Sequence, residues 1–270
     1  MLTLAFWNIH KTKTCENVID LILENGVDVI AIAEQEFTER QLINDFHNRT
    51  GRILYSLKRI ASRIRFYSTI DKKMFRVITD NDKFSVREIR LTGKPSVLLV
   101  GVHLPSKLRA TDEDQAGFAR HVAKEILRIE KRESHTRTVV FGDFNMNPFE
   151  PGMTAHDAFH AVMDRRIAEQ ESRICMGKPS QFFYNPMWKL MGDSSAPALG
   201  THFFRSAGLV EYFWHTLDQV LIRPALLPFV RDEDVRIVRK IATNELLNDR
   251  SPFIKTEHSD HLPITFKLNL

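Results

Sequence analysis

Three stretches of the chain are almost continuously apolar: Val27-Asp28-Val29-Ile30-Ala31-Ile32-Ala33, Val97-Leu98-Leu99-Val100-Gly101-Val102 and Thr138-Val139-Val140-Phe141. A β-strand carries apolar residues on both faces when both faces are covered, as in an α/β sheet. A strand over Leu2–Trp7 precedes the first stretch. Between them a helix runs through Val18, Ile19, Ile22 and Leu23, with Thr14 as its N-cap and Gly26 as its C′ residue. Between the second and third stretches, Thr111 caps a helix that puts Ala119, Val122, Ala123, Ile126 and Leu127 on one face. Each half is a strand-helix-strand unit, and strands joined by a helical crossover are usually parallel.

The remaining segments are less regular. Residues 52–92 read as shorter, more polar strands with Arg and Lys interleaved. An amphipathic helix is expected over 154–170, with Ala155, Phe159, Val162, Met163 and Ile167 inward. Residues 171–216 have no clear period and read as a long aromatic connection. Strands over Leu217–Ile222 and Leu262–Leu268 close the chain. No low-complexity linker divides it, and 270 residues suit one α/β unit, so 1–270 is expected to be a single domain.

Composition excludes more than it identifies. No apolar run is long enough to cross a bilayer, and Leu2-Thr3-Leu4-Ala5-Phe6 reads as a strand rather than a secretory signal, so no membrane partner is expected. Cys15 and Cys175 make neither a metal-ligand spacing nor a disulfide framework, which suits a reducing, cytoplasmic setting. The formal net charge of +4 mildly favours an anionic partner.

Polar residues fall at strand ends in a consistent way. Asn8 follows the first strand, Glu34 the second, His103 the third, and Asp143 and Asn145 the fourth. The late strands instead begin with theirs, Asp218 and Ser259-Asp260-His261. If those two strands run antiparallel to the others, all of these residues meet at one sheet edge, where open α/β sheets bind ligands. Within Gly142-Asp143-Phe144-Asn145, two residues at this spacing share a face of an extended chain. A carboxylate that accepts and an amide that donates suit holding a water against an anion. A simple turn would use the same residue types.

With Trp7-Asn8, Asp28–Glu34, Val102-His103-Leu104, Gly142-Asp143-Phe144-Asn145, Asp218 and Ser259-Asp260-His261 in this order, the chain resembles the endonuclease/exonuclease/phosphatase superfamily. The resemblance implies an α/β four-layered sandwich, two packed mixed β-sheets flanked by helices, and Mg²⁺-dependent phosphoester hydrolysis with Mn²⁺ as a substitute. It assigns the metal to Glu34 and Asp260, oxygen ligands of the kind Mg²⁺ prefers. Asp143 is then the group that orients or deprotonates the attacking water, and Asn145 holds the phosphate or the water. His261 and Asp218 form a pair in which the carboxylate orients the imidazole and favours its protonated form, with His261 the alternative base. His103 donates to a phosphate oxygen, and Asn8 positions Glu34 or the phosphate. Glu36 competes for the role of Glu34, although the spacing from Asp28 favours Glu34. His10 sits where some repair nucleases carry an acidic ligand and is expected to be a surface residue.

Substrate class is less constrained. Lys11, Lys13, Lys107 and Arg109 near the edge, and Arg59, Arg63, Arg65, Lys72, Lys73 and Arg76 in the middle section, could neutralise backbone phosphates or simply solvate the surface. Gln181-Phe182-Phe183-Tyr184-Asn185-Pro186-Met187-Trp188 offers stacking platforms for bases or a mini-core under a long loop. The leading expectation is a nuclease acting on DNA or RNA. The alternatives are an intracellular phosphatase or phosphodiesterase for a small phosphorylated molecule, such as a nucleotide or inositol phosphate, and a catalytically dead binding module.

Overall fold

The computed structural model describes residues 1–10, 15–57, 63–193, 195–248 and 253–270. Strands β1 (Leu2–Asn8) and β2 (Val29–Ala33) lie parallel, with Phe6 opposite Ala31 and Asn8 opposite Ala33. β3 (Tyr55–Leu57) and β4 (Ile64–Ser68) extend this sheet beyond β2. On the other side of β1 the Ile264–Leu268 strand adds antiparallel, giving six strands in all with Arg236–Ile237 at the edge. A second, seven-stranded sheet runs from β5 (Phe75–Asp80) through β6 (Phe84–Ile89), β7 (Val97–His103) and β8 (Thr138–Asp143). It continues through Asp218–Ile222, Phe183–Tyr184 and Ala161–Val162. β7 and β8 are parallel, whereas Asp218–Ile222 is antiparallel to β8. Both late strands therefore run in the inverted sense that the polar residues required.

Strand alternation explains how the sheets stack. Leu99, Val139, Phe141, Val220 and Ile222 belong to the core shared with the first sheet, whereas Leu98, Val100, Val140 and Leu221 pack with the helix Asp112–Glu133. Phe141 spans the interface, edge-on to Phe66 at 6.0 Å and to Phe266 at 5.2 Å between ring centroids. Truncating so buried an aromatic costs about 3–5 kcal/mol. Gly101 allows this approach, because a Cβ there would lie 2.7 Å from Phe66 Cζ.

Among the described residues, three helices of ten residues or more flank the sheets. α1 (Glu16–Asn25) ends at Gly26 in the left-handed conformation, φ 59°, as expected. Its N-cap position is Cys15, one residue beyond Thr14, which lies outside the described residues. α2 (Glu39–Thr50) buries only Leu42 and Phe46, a stripe too thin to announce a helix in the sequence, and is capped by Thr38. α3 (Asp112–Glu133) starts with a capping box of Thr111 and Asp114 and buries Ala119, Val122, Ala123 and Ile126. Leu127, expected on that face, is 44% exposed.

The helix expected over 154–170 does not form. Short helices Pro151–Thr154 and Arg165–Ala168 flank the Ala161–Val162 strand, and Met163 and Ile167 are exposed. His160 takes a left-handed φ of 48°, which breaks a helix and turns the chain into the sheet edge. Residues 171–216 contain two hairpins, Ser172–Cys175 with Lys178–Gln181 and His202–Phe203 with Trp214–His215. Among the described residues, no helix is long and apolar enough to cross a membrane.

Candidate active site

β8 delivers Asp143 to the sheet edge, opposite His103 on one side and Asp218 on the other. Gly142 before it has φ 148°, and a Cβ there would lie 2.1 Å from the Val102 carbonyl oxygen, so no side chain fits. The buried Asp143 carboxylate accepts from both sides: Oδ1 from the Asn145 backbone N–H at 2.8 Å, Oδ2 from Asn8 Nδ2 at 3.0 Å. Asn8, expected to position Glu34 or the phosphate, bonds to Asp143 through its amide.

Asn145 does not continue an extended chain. It is left-handed, φ 53°, and its Nδ2 donates to the Leu104 carbonyl at 2.9 Å. Gln115 of α3 donates to the Asn145 carbonyl at 2.8 Å. The Asp143–Asn145 turn is thereby fixed to both neighbouring segments, and the Asn145 side chain shapes it.

His261 and Asp218 pair as expected, with Nδ1 2.7 Å from Oδ2 and both side chains buried. Burial by itself would discharge the imidazole, but the carboxylates of Asp218, Asp143 and Asp260 outweigh it and raise its pKa to about 10. Backbone clamps hold the ring: Trp7 Nε1 donates to the His261 carbonyl at 2.9 Å, and the His261 N–H donates to Ser259 Oγ at 3.0 Å. Ser259 Oγ in turn donates to the Asn8 carbonyl at 2.7 Å, so the Ser259–His261 segment is tied to the end of β1.

Glu34 leaves β2 with φ 53°, a conformation costing a non-glycine residue about 1–2 kcal/mol. That turn aims its carboxylate at His103 Nε2, 3.5 Å away. The hydrogen bond from His103 lowers Glu34 to about 2, with His10 and His261 adding to the effect against the opposing cost of burial. Gln35 turns inward, donating to the Phe37 carbonyl and accepting from the Tyr67 hydroxyl, and Glu36 is exposed. The residue at the site is therefore Glu34 rather than Glu36. His103 Nε2 also lies 3.9 Å from Asp143 Oδ2, which sets the ring between the two carboxylates at the edge where a phosphate donor was expected.

His10 is exposed, as expected, yet its Nδ1 lies 3.3 Å from Asp260 Oδ2. The other oxygen, Asp260 Oδ1, is buried without a hydrogen-bond partner. His202 joins this corner although nothing in its aperiodic segment marked it. Its Nδ1 is 2.9 Å from the Asp260 carbonyl, which fixes the donor on that nitrogen, and its ring is 4.7 Å from that of His261. Thr201 was equally unmarked; its Oγ1 accepts from the N–H groups of Leu217 and Asp218.

Among the described residues, two side-chain groups bring potential ligand atoms within 4.8 Å of one another: His202, Asp260 and His261, and Asp143, Asp218 and His261. His261 belongs to both, but a protonated ring paired with Asp218 has no lone pair to give. Of the two expected metal ligands, Glu34 belongs to neither group and is held ionised beside His103, and Asp260 Oδ1 accepts no hydrogen bond, with His261 Nε2 4.0 Å away; both are hard oxygen donors of the kind Mg²⁺ takes.

Part of the expected cationic and stacking surface is otherwise engaged. Lys107 pairs with Glu150 and Asp112, Arg76 with Glu88 and Glu133, and Arg65 donates to the Phe37 carbonyl. Lys11, Lys13 and Arg59 lie outside the described residues. Phe182, Phe183, Tyr184 and Met187 are buried, so 181–188 is chiefly a mini-core.

No family model matches the chain, and no curated protein matches it in sequence. Solved structures do. An endonuclease/exonuclease/phosphatase family protein from Leptotrichia buccalis is similar over 100% of both chains, with 14% identity and a TM-score of 0.60. An AP endonuclease from Archaeoglobus fulgidus is similar over 100% of both chains, with 14% identity and a TM-score of 0.56. The endonuclease domain of TRAS1, a telomere-specific non-LTR retrotransposon, is similar over 100% of this chain and 99% of its own, with 12% identity and a TM-score of 0.55. Likeness at these identities establishes the fold.

Proposed function

We propose that this chain, which has the endonuclease/exonuclease/phosphatase fold, is a Mg²⁺-dependent phosphodiesterase and specifically a nuclease hydrolysing DNA or RNA. The observation that carries the reading is the buried triad of Asp143, Asp218 and His261, whose ligand atoms lie within 4.8 Å of one another. A carboxylate base and a carboxylate-backed imidazolium side by side can handle both the attacking water and the charge that builds on phosphorus.

Asp143 orients a water and takes its proton as the new P–O bond forms in line with the bond that breaks. Asn8 and the Asn145 N–H keep its carboxylate in place. His261, held protonated by Asp218, donates from Nε2 to a phosphoryl oxygen. Glu34 and Asp260 would hold Mg²⁺, which when bound neutralises phosphate charge and stabilises the leaving oxygen. His103 keeps Glu34 ionised and aligned.

Two of the similar structures are endonucleases, which supports a nucleic-acid substrate. The engagement of Lys107 by Glu150 and Asp112 favours the second reading, a phosphatase or phosphodiesterase for a small phosphorylated molecule. Two unpaired cysteines, Cys15 and Cys175, support a reducing, cytoplasmic setting.

The test is a substrate panel with Mg²⁺: supercoiled plasmid, single-stranded RNA and small phosphomono- and diesters, with Asp143→Asn as control. A nuclease cleaves a polymer, and the control does not. Intact polymers alongside turnover of a small ester would select the second reading.

A further inference from the structure

The His202–Phe203/Trp214–His215 hairpin places aromatic rings beside the site. Its inner face is anchored: Phe203 packs edge-on against Trp214 at 5.2 Å and Phe253 at 4.7 Å, and both Phe203 and Trp214 join the main core. Its other face is partly exposed. The Phe204 ring lies nearly parallel to that of His202, 6.5 Å away at 17°, and His202 itself lies 4.7 Å from His261. Across the same hairpin, Tyr212 meets Phe149 at 5.4 Å and His215 at 6.0 Å, and Phe149, which follows the Asp143–Asn147 loop, also meets Trp188 at 6.4 Å, so each ring keeps only part of its surface free. Phe204, Tyr212 and Phe149 are 51%, 56% and 39% exposed. The Phe204 end is anchored by its N–H donating to the Phe213 carbonyl at 2.8 Å, and Asn147 pairs with His215 Nδ1 at 3.1 Å. The rings therefore stand on a braced platform.

We propose that the open faces of Phe204, Tyr212 and Phe149 receive unstacked nucleobases next to the scissile phosphate, making single-stranded nucleic acid the substrate. The inference rests on the phosphodiesterase reading and adds what lies beyond the phosphate. Aromatic side chains take bases of any sequence by stacking, and the bases of a duplex are already stacked on each other. A bilayer is a poorer match, because inserting the hairpin would take the Glu211 carboxylate, bonded by the Ser206 and Phe213 N–H groups and by His215 Nε2, out of water, whereas stacking on a base leaves it solvated.

The experiment measures fluorescence anisotropy in EDTA with three probes of equal length: a single strand, its duplex and a single strand of abasic sites. Phe204→Ala, Tyr212→Ala and the ring-preserving Phe204→Trp are compared with wild type, with thermal unfolding confirming that each is folded. The expected result is that the single strand binds at least about tenfold tighter than the other probes, each Ala substitution costs about fivefold or more, and Phe204→Trp retains binding. Equal binding of the abasic strand or duplex, or unchanged binding by both Ala variants, overturns the proposal. Binding of phosphatidylcholine vesicles that the same substitutions abolish, with oligonucleotide binding intact, overturns it in favour of a lipid surface. Hydrolysis of bis-p-nitrophenyl phosphate by wild type with Mg²⁺ is scored separately. Hydrolysis with base-independent binding sinks this inference alone; base-dependent binding without hydrolysis sinks the enzymatic reading and, with it, the claim that the bound strand is a substrate.

Discussion

Asn8 and Asp143, the last residues of β1 and β8, are joined by a 3.0 Å hydrogen bond from Nδ2 to Oδ2 that crosses from one sheet to the other. Both side chains are buried, so the bond fixes the carboxylate where water cannot substitute for the donor. The packing of the two sheets thus sets the position of the proposed base.

Replacing Asn8 with Ala removes that donor while leaving the carboxylate. A hydrogen bond to a charged group contributes about 1.5–3 kcal/mol, so kcat should fall by roughly 10- to 150-fold with KM little changed. Steady-state kinetics on the best substrate of the panel measure this. An unchanged kcat would remove Asn8 from the positioning of Asp143.

Asp143→Asn keeps the shape and removes the base. The kcat should fall by about 10²- to 10⁴-fold, with the melting temperature within a few degrees of wild type. Residual activity equal to wild type would transfer the role elsewhere, with His261 the alternative.

The His261–Asp218 pair sets the alkaline behaviour. The imidazole is raised from its ordinary 6.5 to about 10 in the folded protein. Its contribution to stability is therefore full below pH 6.5 and is lost as pH rises through 10. Activity that needs the imidazolium should likewise persist to high pH, and Asp218→Asn should move the alkaline limb of kcat/KM downward by a unit or more. Glu34 behaves oppositely: lowered from 4.5 to about 2, it stabilises the fold above 4.5 and loses that effect as pH falls through 2. Rate profiles and pH-dependent unfolding report the two limbs, and an alkaline limb unmoved in Asp218→Asn would refute the pair's role.

Chelation should abolish hydrolysis, with Mg²⁺ restoring it and Mn²⁺ substituting. Glu34→Gln removes the charge that a hard cation favours, so Mg²⁺ affinity measured by calorimetry should fall about tenfold or more. Wild-type affinity in that variant would displace Glu34 as a ligand.

Away from the site, Arg223 and Glu130 form a buried two-point pair, with Nε–Oε1 at 2.9 Å and Nη2–Oε2 at 3.1 Å. Glu130→Ala strands the guanidinium and should cost about 3–5 kcal/mol in urea unfolding. A loss below 1 kcal/mol would show that water or another acceptor replaces the carboxylate.

Much of the architecture was legible because strands and their ends are local. The apolar runs at 27–33, 97–102 and 138–141 located β2, β7 and β8, and Thr111 and Gly26 marked helix boundaries by capping chemistry. The 154–170 segment misled because its apolar spacing fits a helix, while the left-handed His160 and the sheet edge beside it favour a turn and a strand. α2 stayed hidden because two inward residues do not make a period.

The sequence by itself determined which polar residues stand at strand ends, because polarity and period are properties of neighbouring residues. It also placed His261 with Asp218 through the resemblance. Only the tertiary structure decided which atoms meet. Asn8 bonds to Asp143, His103 Nε2 lies between the carboxylates of Glu34 and Asp143, and His202 and Thr201 enter the site from an aperiodic segment. The physical reason is separation: Asn8 and Asp143 are 135 positions apart, and Trp7 and His261 are 254 apart. Such pairs exist only once two sheets have stacked in a particular register, and local chemistry does not encode that register.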